Sequence, residues 1–193
     1  MPILRQESDH FPEDLFDLAT ADAPWEIAHL RSRQEKAVAR LLLDGEIPFY
    51  LPQIKQTTRR SGRTFVSHLP LFSGYIFLRR VEGLRQTLWR TSAVVHMVEV
   101  SDQAQLTAEL LQIRQLQASG AVLTPHDDLA PGDAVRITEG AFSGYAGVVT
   151  EERGLRRLIV SVSVLRKSVA VEFPRQILAQ SKAARNGRGR RGI

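Results

Sequence analysis

The feature that most constrains the fold is a change of pattern at residues 119–130, which show no apolar periodicity and include Gly120 and Pro125. Before this stretch, helical and extended patterns follow one another along the chain. After it, residues 131–178 contain only short segments with two-residue alternation. Because mixed helix–strand layers and purely extended segments build different architectures, the change predicts two domains joined by a linker at 120–130.

The composition excludes several classes of protein. Of the 193 residues, 43% are hydrophobic and 24% are charged, so disorder of the whole chain is excluded. No apolar run reaches the ~20 residues that a membrane-spanning helix needs, and the first residues are acidic, unlike a secretory signal. The chain has no cysteine, which excludes disulfides and thiolate sites. We therefore expect a cytoplasmic protein without a membrane partner.

The net charge of +5 is distributed unevenly along the chain. Residues 1–24 carry six acidic residues and one basic residue with little periodicity, which predicts an acidic flexible leader. Residues 31–90 carry twelve basic and four acidic residues, and the basic stretch 179–193 predicts a disordered tail. A polyanionic partner is therefore expected to bind a patch and a tail, not the whole surface.

Residues 25–119 predict an α+β domain in which helices cover one sheet. Apolar residues at helical spacing indicate three helices, and extended patterns separate them. The predicted helices cover 33–44, 82–91 and 103–118, and the clearest predicted strands cover 25–30, 69–78 and 94–100. Arg59–Arg63, which contains Gly62, predicts the turn of a long basic hairpin.

Residues 131–178 predict a small closed β-barrel, because short strands rich in valine alternate with glycine-containing turns. Leu158 and Val160 alternate with Ile159, which places Ile159 on the outward face of its strand. Three glycines lie close together in the sequence, at Gly140, Gly144 and Gly147. Because glycine readily adopts positive φ angles, this spacing predicts a tight loop.

Two motifs resemble those of one protein family. Pro131-Gly132-Asp133 and the glycine-spaced stretch up to Val149 resemble the KOW motif of SH3-like barrels in transcription and ribosomal proteins. Pro70–Leu78, which reads PLFSGYIFL, resembles a strand of the NusG N-terminal (NGN) domain. The chain is thus similar to NusG-family transcription elongation and antitermination factors, and closest to specialised paralogues of the UpxY, LoaP and RfaH type. The resemblance implies an NGN α/β sandwich with an antiparallel sheet at 25–119, and a KOW SH3-like barrel at 131–178.

The resemblance implies that one sheet face of the NGN domain binds the clamp helices of RNA polymerase. Tyr75 and Phe77 are two residues apart on a strand and share a face. Without the resemblance, the strand pattern alone favours core positions for both rings. The predicted polymerase-binding residues are Phe72, Tyr75, Phe77, His29 and Met97.

A second predicted surface is basic. The resemblance implies that it faces upstream DNA or the non-template strand, where arginine supplies charge and stacks on unpaired bases. A charged helix stripe is also typical of an ordinary solvated helix face. The predicted nucleic-acid-binding residues are Arg31, Arg33, Lys36, Arg40, Arg59, Arg60 and Arg63.

The resemblance implies a third contact, in which the KOW domain recruits ribosomal protein S10 or the termination factor Rho. The predicted contact residues are Phe142, Tyr145 and Ile159, with the Tyr145 ring exposed at the edge of a loop. The alternative is that Tyr145 closes one end of the barrel. Residues 125–181 carry seven basic and seven acidic residues, which argues against nucleic acid as the main partner of this domain.

No enzyme, metal or cofactor is predicted. The five histidines lack the spacing of metal ligands, and no phosphate-binding loop occurs. The predicted function is a non-catalytic, monomeric factor that binds the polymerase clamp and suppresses pausing or termination. The alternative is a ribosome-associated or general RNA-binding KOW protein that does not act on polymerase.

Overall fold

The computed structural model describes residues 7–17, 23–126, 133–136, 144–152 and 155–172. The chain divides into two compact units, Met1–Gln115 and Leu116–Ile193. The strands of the first unit are β1 (His10–Phe11), β2 (Trp25–Leu30), β3 (Phe49–Tyr50), β4 (Gln53–Arg60), β5 (Arg63–Pro70), β6 (Tyr75–Arg79) and β7 (Val94–Val98). The helices are α1 (Glu35–Asp44), α2 (Leu84–Trp89) and α3 (Gln103–Ala118). None of the helices in these described ranges is long and apolar enough to cross a membrane.

A five-stranded antiparallel sheet with the order β1-β3-β6-β2-β7 forms the centre of the first unit. One face, which includes Ala28 and Ile76, packs in a single buried cluster with the apolar residues of α1 and α2. Against the other face, the Trp25 indole N–H donates a hydrogen bond of 3.0 Å to the Thr107 hydroxyl of α3. Helices therefore lie on both faces of the sheet, and the predicted α+β fold with an antiparallel sheet is confirmed.

Residues 7–17 are part of this fold, so the prediction of a flexible leader was wrong for this segment. β1 pairs with β3, Leu15 is fully buried, and the Phe16 ring lies 5.0 Å from the Tyr50 ring. The Arg114 guanidinium also lies over the Phe16 ring, at 4.9 Å from its centroid. Apolar residues between the acids supply enough burial to order the segment, which a charge count alone does not reveal.

The predicted basic hairpin is confirmed. β4 and β5 pair over their full lengths and form a two-stranded sheet of their own. Ser61 and Gly62 connect them, and both have positive φ angles, 47° and 75°. A two-residue turn with this backbone matches the right-handed twist of the strands that it joins.

The second unit contains a five-stranded antiparallel sheet. Its strands are β8 (Leu123–His126), β9 (Asp133–Arg136), β10 (Ala146–Glu152), β11 (Leu155–Val162) and β12 (Lys167–Glu172), in the order β8-β12-β11-β10-β9. The predicted strand character of this region is confirmed for these residues. Closure into an SH3-like barrel stays a prediction, and the predicted tail at 179–193 lies outside the described residues.

β8 lies inside the predicted linker, so that prediction was wrong for residues 123–126. Leu123 is 9% exposed and pairs with Val171, while Pro125 pairs with Val169. β8 lies at one edge of its sheet, and an edge strand is where a proline is tolerated. The proline that indicated a linker is therefore compatible with a strand at this position.

Two glycines of the predicted KOW loop are required for different reasons. Gly144 has a φ of +92°, as expected for a tight loop. Gly147 lies in β10 without a positive φ, and a Cβ atom there would collide with the carbonyl oxygen of Ile159. Close approach of backbones, not turn geometry, therefore explains Gly147. Gly140 lies outside the described residues.

Candidate functional site

Three side chains form an accessible aromatic group on the five-stranded sheet. His29 of β2 lies between Tyr75 of β6 and His96 of β7 in the strand register. The His29 and Tyr75 rings are stacked with centroids 4.8 Å apart, and the His29 and His96 rings are also 4.8 Å apart. His96 is exposed, while His29 and Tyr75 are half-buried. We call His29, Tyr75 and His96 the three-ring cluster.

A turn ahead of β6 positions Tyr75. The predicted strand over 69–78 is interrupted here, because Gly74 has a φ of +82°. The Gly74 N–H donates a hydrogen bond of 2.7 Å to a carboxylate oxygen of Glu35, which is 4% exposed at the start of α1. The Gly74 carbonyl accepts another, also 2.7 Å long, from the Leu30 N–H. Glu35 thus fixes the turn from the neighbouring helix. In the sequence it looks only like an acid in the first turn of a helix.

Phe72 and Phe77 belong to the core, so their predicted role as contact residues was wrong. Phe72 is 2% exposed and Phe77 is fully buried, with their rings edge to face at 5.8 Å. Phe77 shares the face of Tyr75, as its spacing predicts, but it lies between Ile27 and Tyr50 in the strand register. Position along the strand, which the two-residue period does not specify, decides which ring is accessible.

The predicted contact residue Met97 lies on the opposite face of the sheet from Tyr75, so this prediction was wrong. It lies opposite Ala28 and packs against the core cluster of α1 and α2. His96 is the residue opposite His29, and it was not predicted as a site residue. Because neighbouring residues of a strand point to opposite faces, an error of one residue exchanges a contact residue for a core residue.

The predicted basic stripe on α1 is not a free surface. The helix begins at Glu35, so Arg33 precedes it, with a φ of 66°. Lys36 is only 8% exposed; burial lowers its pKa, an effect that the Glu7 charge opposes. Arg40 is exposed, and its Nε atom lies 3.6 Å from a carboxylate oxygen of Glu7. Lys36 is therefore not available as a nucleic-acid contact, and Arg40 faces the acidic N-terminal segment.

The remaining predicted basic residues are exposed: Arg31, Arg33, Arg59, Arg60 and Arg63. Three of them surround the hairpin turn, where Arg60 and Arg63 lie directly opposite each other. Like charges at opposite positions of a hairpin repel each other. A bound anion would relieve this repulsion, so the hairpin tip is suited to a polyanion.

The predicted contact residues of the second unit are buried or undescribed. Tyr145 is 8% exposed, and burial raises its pKa. Ile159 is 1% exposed and lies between Val148 and Ala170 in the sheet. The prediction that both side chains face outward was wrong. β11 is buried on both faces around Ile159, and the ring of Tyr145, which directly precedes β10, is buried as well. Phe142 lies outside the described residues.

One charged group was not predicted from the sequence. The Glu26 side chain is 6% exposed, and its Oε1 atom accepts hydrogen bonds from Arg80, at 2.7 Å, and from Arg85, at 3.1 Å. Both arginine side chains are mostly exposed. These residues line an open depression beside α2. Separations of 54 and 59 residues along the chain hide this group from any local motif.

Comparison with known proteins finds a similarity to one protein family, mainly in the first unit. Residues 23–116 match the family model described as "Transcription termination factor nusG". The chain is 27% identical over 151 residues to the transcription termination/antitermination protein NusG of Campylobacter jejuni, covering 72% of this chain and 84% of that protein. It is also 27% identical over 168 residues to the protein of the same name from Pseudomonas aeruginosa, covering 77% and 93%.

A solved structure, "Domain interaction in Thermotoga maritima NusG", aligns with 77% of this chain and 92% of its own, at 19% identity and a TM-score of 0.44. The family match itself spans β2 to α3, which includes the three-ring cluster and the basic hairpin. Over residues 23–116, just under half of the chain, the protein is thus similar to the NusG family.

Proposed function

We propose that the chain is a non-catalytic transcription elongation or antitermination factor that binds the clamp helices of RNA polymerase. The observation that carries this proposal is the three-ring cluster, an accessible aromatic group within the residues that match the NusG family model. The similar bacterial proteins are named as transcription termination/antitermination proteins, which supports the same class of function.

The cluster has the physical properties of a protein-binding hot spot. The Tyr75 ring is stacked on His29, and Tyr75 follows a turn that is held by a hydrogen bond to Glu35. Because the ring is already held in place, little side-chain freedom is lost when a partner binds. The buried rings of Phe72 and Phe77 lie close by and support the same face of the sheet. Tyrosine is among the residues that most often dominate binding at interfaces.

We assign nucleic-acid binding to the exposed arginines of the first unit. Arg59, Arg60 and Arg63 at the hairpin tip, together with Arg31 and Arg33, supply positive charge for upstream DNA or the non-template strand. Such contacts release counterions, so the binding should weaken steeply as the salt concentration rises.

Suppression of pausing or termination requires that the factor binds the active elongation complex more tightly than the paused one. A ligand with equal affinity for two states shifts neither population. Simultaneous contacts with the clamp and the exposed DNA strand would supply this difference, because both contacts depend on the arrangement of the active complex. We propose further that the chain resembles the specialised paralogues of the UpxY, LoaP and RfaH type.

For the second unit we propose a recruiting role with a protein partner, ribosomal protein S10 or Rho. The equal numbers of basic and acidic residues over 125–181 favour a protein over a nucleic acid. Because Tyr145 and Ile159 are buried, the contact has to use other residues of this unit.

The test is retention of the full chain by purified core RNA polymerase. We expect the wild type to be retained, and Tyr75→Ala to lose most of this retention. Val95→Ala is the matched control, because Val95 is 50% exposed on β7 next to His96 and lies outside the cluster. A polymerase without its clamp helices should retain neither protein.

Failure of the wild type to bind polymerase would overturn the proposal. If the wild type bound RNA or ribosomes instead, the alternative function, an RNA-binding KOW protein, would replace it. Equal losses for Tyr75→Ala and Val95→Ala would show that the cluster is not the contact.

A further inference from the structure

We propose that His29 and His96 form a binding site for a divalent transition metal, Zn²⁺ or a chemically similar ion such as Ni²⁺ or Cu²⁺. The two imidazole rings are cross-strand neighbours on β2 and β7, with their Nδ1 atoms 3.4 Å apart. The inference rests on this geometry and does not depend on the proposed binding to polymerase.

The distance between the two nitrogens matches a shared metal ion. Nitrogen ligands lie about 2.0–2.1 Å from a tetrahedral zinc ion, so two of them are about 3.3–3.4 Å from each other. The observed distance between the Nδ1 atoms of His29 and His96 is 3.4 Å. Hydrogen bonds donated by nitrogen are usually about 2.7–3.2 Å long. The pair is therefore spaced better for a common cation than for a hydrogen bond with each other.

The surrounding structure holds this spacing before a metal binds. The antiparallel register of β2 and β7 places the two residues directly opposite each other. Tyr75 stacks on the His29 ring and restricts its rotation, while His96 is exposed and can adjust. Part of the entropy cost of arranging two ligands is thus already met by the fold.

The ligand chemistry selects the class of ion. Imidazole nitrogen suits zinc, copper and nickel, whereas magnesium and calcium require oxygen ligands. Among the residues that the structure describes, no group of three or more His, Cys, Asp or Glu residues is arranged to hold a metal. The described residues would therefore supply two ligands, and water could fill the remaining positions, which makes the site open and accessible to further ligands.

The test is calorimetric titration of the full chain with ZnCl₂ at pH 7.5, repeated at pH 5.5. We expect saturable uptake of one ion at the higher pH and its loss at the lower pH, because imidazole binds metal only when deprotonated. His29→Asn and His96→Asn should each weaken binding at least about tenfold. Circular dichroism confirms that both variants remain folded.

His10→Asn is the matched control, because His10 offers a competing site: its Nδ1 atom lies 2.6 Å from an Asp9 carboxylate oxygen. Uptake that His10→Asn preserves, and that both cluster variants weaken, supports the site. No saturable uptake by the wild type, or uptake that survives His29→Asn or His96→Asn, overturns it. Polymerase retention is measured separately, so the two proposals can fail independently.

Discussion

The tetrapeptide Phe-Ser-Gly-Tyr occurs twice, at 72–75 in the first unit and at 142–145 in the second. In both copies the glycine has a positive φ angle, +82° at Gly74 and +92° at Gly144. The tyrosines differ: Tyr75 is half-buried beside exposed His96, while Tyr145 is only 8% exposed. The same local sequence thus gives a similar backbone at the glycine but different exposure of the next ring, which the surrounding strands determine.

The largest expected difference between the two copies is in stability. Tyr145→Ala removes a buried ring and should destabilise the second unit by about 3 kcal/mol, at the low end for buried aromatic residues. Tyr75→Ala should cost the first unit less than half of that, because its ring is partly exposed.

The two units can be followed separately in this experiment. Both tryptophans of the chain, at positions 25 and 89, lie in the first unit, so their fluorescence during urea unfolding reports that unit. Hydrogen exchange of the amides of β11 reports the second. Equal losses of stability from the two substitutions would contradict the difference in burial.

A second substitution tests the backbone contact that follows the second copy. Gly147→Ala should destabilise the second unit by about 2 kcal/mol, because the new methyl group collides with the Ile159 carbonyl oxygen and the strands must separate. Gly144→Ala is the control. Among the described residues other than its chain neighbours, its Cβ would meet no atom within 4 Å, so the unfavourable φ angle is the expected cost, about 1 kcal/mol. Exchange of the β11 amides measures both, and the reverse order of effects would refute the contact.

A third substitution tests what fixes the first copy. Glu35→Ala leaves the buried Gly74 N–H without its acceptor and should cost about 1–2 kcal/mol. Glu35→Gln keeps a side-chain oxygen and should recover most of this loss. Fluorescence-detected urea unfolding gives the values. If the two variants were equally destabilised, the negative charge of Glu35, not its hydrogen bond, would be responsible.

The smallest expected effect is on pH dependence. Burial raises the pKa of Tyr145 above its usual value, whereas an unfolded tyrosine ionises near about pH 10. The contribution of Tyr145 is therefore complete below the unfolded value and is lost as the pH rises towards the folded one.

Tyr145→Phe should reduce the loss of stability between neutral and strongly alkaline pH, as measured by urea unfolding with circular dichroism. Identical alkaline profiles for Tyr145→Phe and the wild type would exclude a role for the buried phenol.

The sequence was sufficient for elements whose pattern is local. Helix α3 has the bounds predicted for it, and Leu106, Leu110 and Ile113 are buried on one face, as their spacing indicates. The hairpin turn at Ser61 and Gly62 was predicted from turn residues between two extended stretches. In each case neighbouring residues carry the whole signal.

The sequence was not sufficient where distant segments decide the outcome. Lys36 looked like one member of a basic stripe, but packing of the helix start buries it. His96 was missed because its role depends on lying opposite His29 on another strand. Ile159 looked outward-facing because its strand alternates, yet both faces of that strand are covered. Which strands pair, and which faces of a strand are buried, depend on segments that are distant in sequence, so no single segment reveals them.

The two-residue strand β1 has a consequence for how the protein behaves in concentrated solution. An uncovered strand edge is a template on which other chains add and aggregate. β1 occupies the edge beside β3, and it is too short to be a good template itself. The segment that contains β1, residues 7–17, also carries several carboxylates. These repel the same acidic segment of a second protein molecule. A shortened protein that starts at Trp25 would lose β1 and leave the edge of β3 uncovered. It should therefore aggregate at concentrations at which the full chain remains in solution.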